Sequence, residues 1–468
     1  MSRINTNISS LQAIHTLNKN QANLSTELQR LSTGLRINSG KDAPAGLIAS
    51  ETLRSEIAGI NQAIDNSSRA GNVINTAEGA LSEVSSLLLE VQGLTNQAAN
   101  TGALSPEEIK ANQLQVDAIL NSVNRISNTT QFNGVKLLNG GLDYTTSGVN
   151  STAIDNFQIN ASKIPDNGSV SVIVQVVASA QLGEVDFAAS GINATPVTIE
   201  VAGNLGTEQL SFAASTHNSA IAVAVNQLKA ATGVSAVLSG GALRLTSTAY
   251  GSKQFVSVST LSGTFASGKD FGQDAQVNIN GAKAEVDGLS ATVRSDNLDI
   301  KLDLDPTFGT TPGAAGTSFT ITGGGAKFQL GSEINRQGQT NIGIGSVATT
   351  KLGDAINGYL STLGSGGPNS LISANTIQAQ KIITSAIHQV ADLRGRLGAF
   401  QKDILDTNVN SLSVALENVT SSESAIRDAD FASETAALTR AQILVQANTS
   451  ILSQANSSPQ SVLSLLGR

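Results

Sequence analysis

The chain has 468 residues, of which only 14% are charged and 3% aromatic, with no cysteine and a formal net charge of −8. The acidic balance, without any run of basic residues, argues against nucleic acid and anionic membranes as partners, and the lack of cysteine excludes disulfides and thiolate metal sites. The start, MSRINTNISS, has no apolar core of a secretory signal peptide, and no stretch is apolar for long enough to span a membrane.

Glycine and proline divide the chain into two ends and a different middle. Of the 44 glycines, 31 lie between residues 141 and 370, and residues 371–458 contain no proline. Both residues interrupt helices, so we predict long helices at the two ends and strands and turns between them.

Apolar residues at helical spacing predict the first helix close to the N-terminus. The heptad pattern places a polar residue, Gln21, at one position. Its apolar residues, three or four positions apart, are Ile14, Leu17, Leu24, Leu28, Leu31 and Leu35. Such a pattern is typical of the seam of a coiled coil or helical bundle.

A turn-rich segment, NSGKDAPAGLIAS at residues 38–50, follows this helix and contains a Gly-Lys pair. A phosphate-binding loop requires G-x-x-x-x-G-K-[ST], whose last residue supplies a hydroxyl to magnesium. Here Gly34 lies one residue too far from Gly40-Lys41, and Asp42 stands where the hydroxyl is needed. We therefore reject a nucleotide site, and the flanking helices must explain the segment.

Two further helices are predicted after this segment. The apolar positions of the first are Leu53, Ile57, Ile60, Ile64, Val73, Ala77, Ala80, Val84, Leu87, Val91, Leu94 and Ala98. The second runs from Ile109 to Ile126, with Ser105 as its cap, Pro106 in its first turn and acidic residues at Glu107 and Glu108.

The middle of the chain alternates apolar and polar residues, which indicates strands. One module reads as ββαββ(β), with strands at 197–201, 209–212, 234–238, 242–246 and 255–258. Its short helix carries Ile221, Val225 and Leu228, with Asn218 as a plausible cap. A second β-rich stretch runs from residue 276 to residue 330.

Heptad spacing returns in the C-terminal part. Ile383, Val390, Leu397 and Ile404 are seven residues apart, as are Phe431, Leu438, Val445 and Leu452, and the tail adds Leu463 and Leu466. A monomeric bundle is one explanation. Seams at both termini around a β-rich insertion favour another, in which neighbouring molecules complete the cores. The predicted fold is α+β: a long antiparallel helical coiled coil or bundle built from both termini, with a β-rich inserted outer domain.

A search for catalytic or metal-binding groups finds no constellation. His15, His217 and His388 lie in three different segments, and a solvated or packed role fits each. Asp299, Asp303 and Asp305 alternate with apolar residues, as on the wet face of a strand. We expect no catalytic site, no cofactor and no metal.

Six blocks at the two ends of the chain form a recognisable series: INTNISSLQA (4–13), LSTGLRINSGKDAPAGLIAS (31–50), TQFNGVKLL (130–138), LRGRLGAFQ (393–401), ESAIRDADFASE (423–434) and RAQILVQANTSILSQAN (440–456). In sequence and order these blocks resemble bacterial flagellin, and the resemblance covers residues 1–165 and 340–468. The segment near 197–260 is also similar to an insert module of some flagellin and hook proteins.

The resemblance implies a division into three regions. Residues 1–44 and 425–468 would form an inner terminal coiled-coil domain, residues 45–165 and 346–424 a helical rod with a β-hairpin after Thr130, and residues 166–345 a variable outer region.

The turn-rich segment would then be a joint, or spoke, between the inner and rod domains. Gly40 and Gly46 would permit a bend, Pro44 would stop the helix, and Asp42 or Ser39 would cap its successor.

The implied function is that of a structural subunit of the bacterial flagellar filament, exported unfolded through a flagellar type III channel and self-assembled outside the cell into a helical propeller. Implied partners are other copies of the chain, an export chaperone, the filament cap and hook-associated proteins. A hook–filament junction protein is the nearest alternative. A flagellin carrying a hydrolase and a glycan-binding adhesin are more distant ones.

One departure from the family concerns innate immune receptors. Flagellins sensed by the Toll-like flagellin receptor typically carry an arginine in the helix around Leu88–Leu94, where this chain has Glu90. Since Leu94 is kept but the charge is reversed, we expect weak activation of that receptor. Cytosolic sensing of the tail around Leu463 and Leu466 is also implied.

Overall fold

The computed structural model describes residues 6–100, 102–165, 168–187, 195–295, 297–313, 316–354 and 357–466, with side chains described as far as residue 458. The helices are α1 (Ile8–Thr33), α2 (Pro44–Ala98), α3 (Pro106–Thr129), α4 (Asn218–Gln227), α5 (Lys229–Thr232), α6 (Pro306–Gly309), α7 (Thr376–Ala399), α8 (Thr407–Arg427) and α9 (Phe431–Leu466). A π-helical segment, Phe400–Asp406, joins α7 to α8, and short 3-10 turns span Leu360–Leu363 and Leu371–Ser373.

The strands occupy the middle of the chain, which confirms the predicted α+β fold. They are β1 (Gln131–Phe132), β2 (Val135–Lys136), β3 (Tyr144–Ser147), β4 (Ile154–Ser162), β5 (Val170–Ala178), β6 (Glu184–Phe187), β7 (Val197–Gly203), β8 (Thr207–Phe212), β9 (Val234–Ser239), β10 (Ala242–Ser247), β11 (Phe255–Ser262), β12 (Gly268–Phe271), β13 (Gln276–Ile279), β14 (Ala282–Lys283), β15 (Glu285–Asp287), β16 (Ser290–Arg294), β17 (Leu298–Leu304), β18 (Thr317–Gly324), β19 (Ala326–Gln329), β20 (Gln339–Ile342), β21 (Gly353–Asp354) and β22 (Gly358–Tyr359).

The described residues divide into two compact units. One comprises Met1–Arg69, Gln329–Gly338 and Ile404–Arg468, and the other comprises Ala70–Phe328 and Gln339–Asp403. The first unit is mainly helical and contains α1, α8 and α9. The second contains α3, α7 and nearly all of the strands.

Helix α1 has well-defined ends. The side chain of Asn7 accepts a hydrogen bond from the Ser10 N–H at 3.0 Å, which satisfies one free donor of the first turn. Gly34 ends the helix in the left-handed region, at φ 73°, and its N–H donates to the Arg30 carbonyl. A glycine adopts this conformation without the steric cost that a Cβ would add.

The turn-rich segment differs from the prediction at two positions. Pro44 does not stop a helix, because α1 has already ended at Thr33; it opens α2 instead, where its fixed φ suits a first helical residue. Gly46 lies within α2, and a Cβ there would stand 2.6 Å from the Cδ1 atom of the buried Ile37. Gly46 thus makes room for Ile37 rather than bending the chain.

From Ile60 onward helix α2 buries one heptad stripe, and five of its twelve residues, Ile60, Ala77, Val84, Val91 and Ala98, are predicted ones. The buried residues are Ile60, Ala63, Ser67, Ala70, Ile74, Ala77, Leu81, Val84, Leu88, Val91, Thr95 and Ala98. The predicted positions Val73, Ala80, Leu87 and Leu94 are half-buried instead. Where apolar residues are consecutive, as in Leu87-Leu88-Leu89, the sequence alone does not show which of them faces the core.

Helix α3 begins as predicted. Ser105 and Glu108 form a reciprocal capping box, in which the Glu108 N–H donates to Ser105 Oγ and the Ser105 N–H donates to Glu108 Oε2. The hydrogen bonds that the Glu108 carboxylate accepts from Ser105 N–H and Ser105 Oγ hold the pKa of Glu108 below its usual value. The predicted hairpin follows as β1 and β2, whose turn residues Asn133 and Gly134 both have positive φ.

Two antiparallel sheets of the second unit share a core. Their strand orders are β14-β13-β5-β18-β3 and β15-β16-β17-β4, and the largest fully buried side chain is Phe319. In β17 the apolar Leu298, Ile300, Leu302 and Leu304 are buried, and the residues between them are half-buried or exposed. This alternation confirms that Asp299 and Asp303 lie on the outer face of a strand. The prediction is wrong for Asp305, which lies after β17 and caps α6 by accepting a hydrogen bond from the Thr307 N–H.

The ββαββ(β) module is confirmed, with one strand more at each end. It contains the sheets β12-β11-β7-β8 and β6-β10-β9 and a core that includes Ile199, Ile221 and Leu243. The predicted cap is wrong: His217 occupies the cap position of α4, and the Asn218 amide donates to the Gly241 carbonyl at 3.0 Å. The chain enters and leaves the module beside an antiparallel bridge between Gln181 and Gln273.

Ile404 departs from the predicted C-terminal seam. Ile383, Val390 and Leu397 are buried as expected, but Ile404 is 41% exposed and Leu405 is 2% exposed. The π-helical segment causes the difference, because its wider turn adds one residue and rotates Leu405 to the inner face.

This finding predicts unequal effects of two neighbouring substitutions. Leu405→Ala should lower the free energy of unfolding by about 2–5 kcal/mol, because it removes a buried side chain, whereas Ile404→Ala should cost less than about 1 kcal/mol. Chemical denaturation followed by circular dichroism compares the two variants. Equal losses would show that the π-helical register does not hold in solution.

Candidate assembly interface

Helices α1 and α9 pack antiparallel within the first unit. At one end, the Asn7 amide donates to the Ala455 carbonyl at 2.8 Å. At the other, Leu35 and Asp428 form an antiparallel bridge, and the Arg36 N–H donates to the Arg427 carbonyl at 2.7 Å. Contacts from the two ends of the sequence therefore fix the pairing and register of the terminal helices.

The contact between the two helices buries little apolar surface. On α1 the inward positions are Ala13, Leu17, Asn20, Leu24, Glu27 and Leu31, and on α9 they are Glu434, Leu438, Ala441, Val445, Asn448, Leu452 and Ala455. Of these, only Ala13, Asn20, Glu434 and Ala441 are buried. Leu17, Leu24, Leu31, Leu438, Val445 and Leu452, all predicted seam residues, are half-buried.

The remaining predicted seam residues face solvent in the single chain or lie outside the contact. Ile14 is 41%, Leu28 49% and Phe431 68% exposed, and Leu35 is half-buried after the end of α1. The side chains of Leu463 and Leu466 lie outside the described residues.

Further exposed apolar side chains lie on the same two helices: Ile8, Leu11, Ile443, Leu444 and Ile451. The sequence prediction missed them, although the three- and seven-residue spacings Ile8–Leu11 and Leu444–Ile451 could have indicated them. Burying one such side chain contributes about 1.5–3 kcal/mol. Exposed apolar positions in this number are typical of a surface that another protein covers.

Two carboxylates face each other across the α1–α9 contact. Arg30 Nη1 lies 3.5 Å from Glu434 Oε1 and 4.0 Å from Glu27 Oε2. Among the described residues, no donor forms a hydrogen bond with that buried Glu27 oxygen. A hydrogen bond with the Glu434 carboxyl, burial and repulsion from Glu434 raise the pKa of Glu27, and Arg30 only partly offsets them. The pair therefore opposes α1–α9 packing when both groups are ionised.

The joint between α1 and α2 is braced by Asp42. Its Oδ2 accepts hydrogen bonds from Ser39 N–H, Ser39 Oγ and Asn38 N–H at 2.8, 3.0 and 3.1 Å. These bonds hold the pKa of Asp42 below its usual value. Asp42 thus stabilises the preceding turn, in which Gly40 lies, and does not accept a capping bond from α2.

The residues of the predicted receptor region lie on different faces of α2. Leu88 is fully buried, Leu94 is half-buried and Glu90 is exposed. Among the three, Glu90 is the side chain that an outside protein would meet.

In the part of the chain that the structure describes, no three His, Cys, Asp or Glu residues are grouped to hold a metal ion. Over the same residues, none of the helices combines the length and hydropathy that crossing a membrane requires.

Comparison with known proteins identifies both ends of the chain. Residues 4–142 match the family model of the bacterial flagellin N-terminal helical region, and residues 380–466 match that of the bacterial flagellin C-terminal helical region. The chain is 33% identical to the B-type flagellin of Pseudomonas aeruginosa and 30% identical to a flagellin of Salmonella rubislaw, with 99% of both chains covered in each case.

Solved structures are more distant. FliC from Burkholderia pseudomallei is 17% identical, covering 71% of this chain and 98% of its own, with a TM-score of 0.26. The flagellar junction protein FlgL from Legionella pneumophila is 15% identical, covering 81% and 99%, with a TM-score of 0.29.

The carboxylate pair predicts a pH dependence of α1–α9 packing. The pKa of Glu27 is higher in the folded chain than its ordinary value of 4.5, so protonated Glu27 stabilises the folded state. This contribution is fully present below pH 4.5 and is lost as pH rises through the raised pKa. Glu434→Gln removes one charge and supplies an amide donor. At pH 7 it should stabilise the pairing by about 1 kcal/mol, and it should flatten the pH dependence.

Helical circular dichroism of the isolated chain, measured on heating at several pH values, tests this prediction. Glu423→Gln is the matched control, because Glu423 lies beside Arg427 at 4.0 Å on α8. A Glu434→Gln variant that melts like this control at every pH would contradict the role of the pair.

Proposed function

Since the chain belongs to the bacterial flagellin family and is a structural subunit of the flagellar filament, we propose that it polymerises through the apolar side chains that α1 and α9 leave exposed. The observation that supports this proposal is that the predicted seam residues of α1 and α9 fall into two sets, one in the contact between the helices and one exposed. One column of side chains lies between the two helices, while Ile14, Leu28 and Phe431 point away from the contact into solvent. Neighbouring copies would cover this second column.

The mode of assembly follows from the geometry of such a surface. A patch that meets a different patch on the next copy forms a head-to-tail contact, which extends into an open helical filament unless the rotation closes a ring. The hook–filament junction alternative is not favoured, because flagellins of comparable length match the chain from end to end. Within the filament, the role we propose is structural, without catalysis.

We assign three regions to different places in the filament. Residues 1–44 and 425–468 form the inner coiled coil, residues 45–165 and 346–424 the rod around it, and residues 166–345 the outer surface. Support comes from the element types, since the ends are long helices and the middle contains compact sheets. In this arrangement residues 38–46, braced by Asp42, form the joint between the inner coiled coil and the rod.

Export and delivery follow from the weak terminal pairing. With so little buried between α1 and α9, the helices of a free subunit open readily, because a helix gains most of its stability from tertiary packing. An export chaperone would cover the C-terminal helix, a type III channel would pass the opened chain, and the filament cap would place it at the tip beyond the hook-associated proteins. The resulting location is the extracellular filament.

Innate receptors would meet α2 through its exposed face. Glu90 presents a negative charge there, where flagellins recognised by the Toll-like receptor typically carry arginine. Like charges across an interface cost several kcal/mol, so recognition of this chain should be weak. The tail around Leu463 and Leu466 would serve cytosolic sensing.

Substitution of an exposed seam residue tests the assembly surface. Leu28→Asp places a charge where a neighbour must bury leucine, so the critical concentration for seeded polymerisation should rise at least about tenfold. Val223→Asp, on the exposed face of α4, is the matched control because Val223 is 58% exposed. Sedimentation and negative-stain microscopy provide the measurement, and unchanged monomer dichroism shows that α1 survives. Normal filaments from Leu28→Asp would refute the proposed surface.

Reversal of the charge at residue 90 tests receptor recognition. Glu90→Arg should raise potency in a receptor reporter assay at least about tenfold, because it replaces a repulsive contact with an attractive one. Glu83→Arg, which changes another exposed acid on α2, is the control for general charge effects. If the native chain is already as potent as an enteric flagellin, Glu90 does not limit recognition.

A further inference from the structure

Asn-Gly pairs occur at several turns of the second unit and differ in how the asparagine amide is held. Among the described asparagines these are Asn133, Asn139, Asn280 and Asn357, each followed by glycine. Three of them, Asn133, Asn139 and Asn280, are exposed. Neither sequence nor solvent access therefore separates these three, and any difference in their chemistry must come from local geometry.

We propose that Asn139 is a site of self-catalysed deamidation, selected over the other Asn-Gly pairs by its hydrogen bonding. Among the described residues, none donates a hydrogen bond to the side-chain oxygen of Asn133, which therefore lacks the activation that Asn139 has. In this reaction the Gly140 backbone nitrogen loses its proton and attacks Cγ of Asn139, and the side-chain nitrogen leaves as ammonia. The succinimide ring that forms is opened by water at either carbonyl, giving aspartate or isoaspartate. Water is the only co-reactant.

The structure activates the amide of Asn139 for this attack. Its Oδ1 accepts a hydrogen bond from the Gly141 N–H at 3.0 Å. That donor withdraws electron density from Cγ and stabilises the negative charge that develops on Oδ1 when the nitrogen attacks, as an oxyanion hole does. Gly140 has φ 92° and no Cβ to shield its nitrogen.

Asn280 has the same successor but a clamped amide. Its Oδ1 accepts from the Ile173 N–H at 2.7 Å and its Nδ2 donates to the Ser171 carbonyl at 3.1 Å. Both bonds tie the side chain to β5, so turning Cγ toward the Gly281 nitrogen would break them. The departing nitrogen is also held, and the same is true of Asn357, whose Nδ2 donates to Asp354 at 3.0 Å.

Asn150 has a similarly hydrogen-bonded side-chain carbonyl but is not followed by glycine, so it tests the two requirements separately. Its Oδ1 accepts from Thr152 N–H at 3.0 Å and from Thr152 Oγ1 at 2.8 Å. The carbonyl is therefore polarised like that of Asn139, but Ser151 follows and its side chain crowds the attacking nitrogen. Asn139 combines the activated carbonyl with the unhindered nucleophile.

The position of Asn139 gives the reaction a structural consequence. The preceding Leu138 is fully buried, and its carbonyl accepts from Ser127 Oγ at 2.7 Å and from the Val347 N–H at 3.1 Å. On the other side, Leu142 is bridged to Ile344. Isoaspartate would insert an extra backbone carbon between these two fixed points, and either product adds a negative charge.

Peptide mapping of the full chain, incubated in warm, mildly alkaline buffer, tests the proposal. Conversion at Asn139 should be at least about tenfold faster than at Asn280 or Asn150, the factor expected for one well-placed hydrogen bond. In concentrated urea the exposed Asn-Gly pairs should converge on one rate, while Asn150 stays slower.

Two variants complete the test. Asn139→Gln retains an amide but would need a six-membered ring, so conversion in this peptide should cease while the other sites are unchanged. Asn139→Asp provides the chromatographic standard for the aspartate product. Equal or faster conversion at Asn133 or Asn280 in the folded chain would overturn the proposal, as would a ranking that persists in urea.

Discussion

The packing of α1 against α9 is the contact on which the proposed mode of assembly depends, because it is incomplete. Small and polar residues such as Ala13, Asn20 and Ala441 fill much of the space between the helices, so two long helices meet without a continuous apolar core. The leucines that face the contact are only half-buried, and others such as Ile14 and Leu28 lie outside it, so both groups retain free energy that further burial would release. A subunit built in this way is more stable in a polymer than alone.

The carboxylates of Glu27 and Glu434 contribute to the same balance. They stand in the contact with Arg30 close to both, and the pKa of Glu27 is raised there, so ionisation of Glu27 weakens the pairing. A hydrophobic pair at these positions would hold the terminal helices together more firmly. It would also make the opened state of the proposed export route harder to reach.

Much of the fold was predictable from the sequence, because helical spacing, capping residues and alternating strands are local signals. Ser105 with Glu108 set the start of α3, and the ββαββ(β) module followed from its alternation. What failed depended on packing between elements. The sequence could not show that a π-helical turn makes Leu405 rather than Ile404 face inward, or that Gly46 serves the packing of Ile37.

The candidate interface was predictable in location but not in its division into two faces. Heptads mark Leu24 and Leu28 alike as apolar, and only the position of α9 decides that Leu24 faces it while Leu28 does not. The opposition of Glu27 and Glu434 was equally out of reach, since more than four hundred residues separate them in the chain.

The bridge between Gln181 and Gln273 bears on how such chains diversify. Because the entry and exit of the β6–β12 module lie side by side at this bridge, about one strand spacing apart, a replacement module would have to keep its two ends adjacent. It would also have to replace the packing of Tyr250 and the ion pair of Lys253 with Asp287 on the surrounding sheets. Evolution could enlarge, trim or replace the lobe by recombination at these two points. If the three regions lie in the filament as proposed, the displayed surface can change in this way while the polymerising ends stay the same.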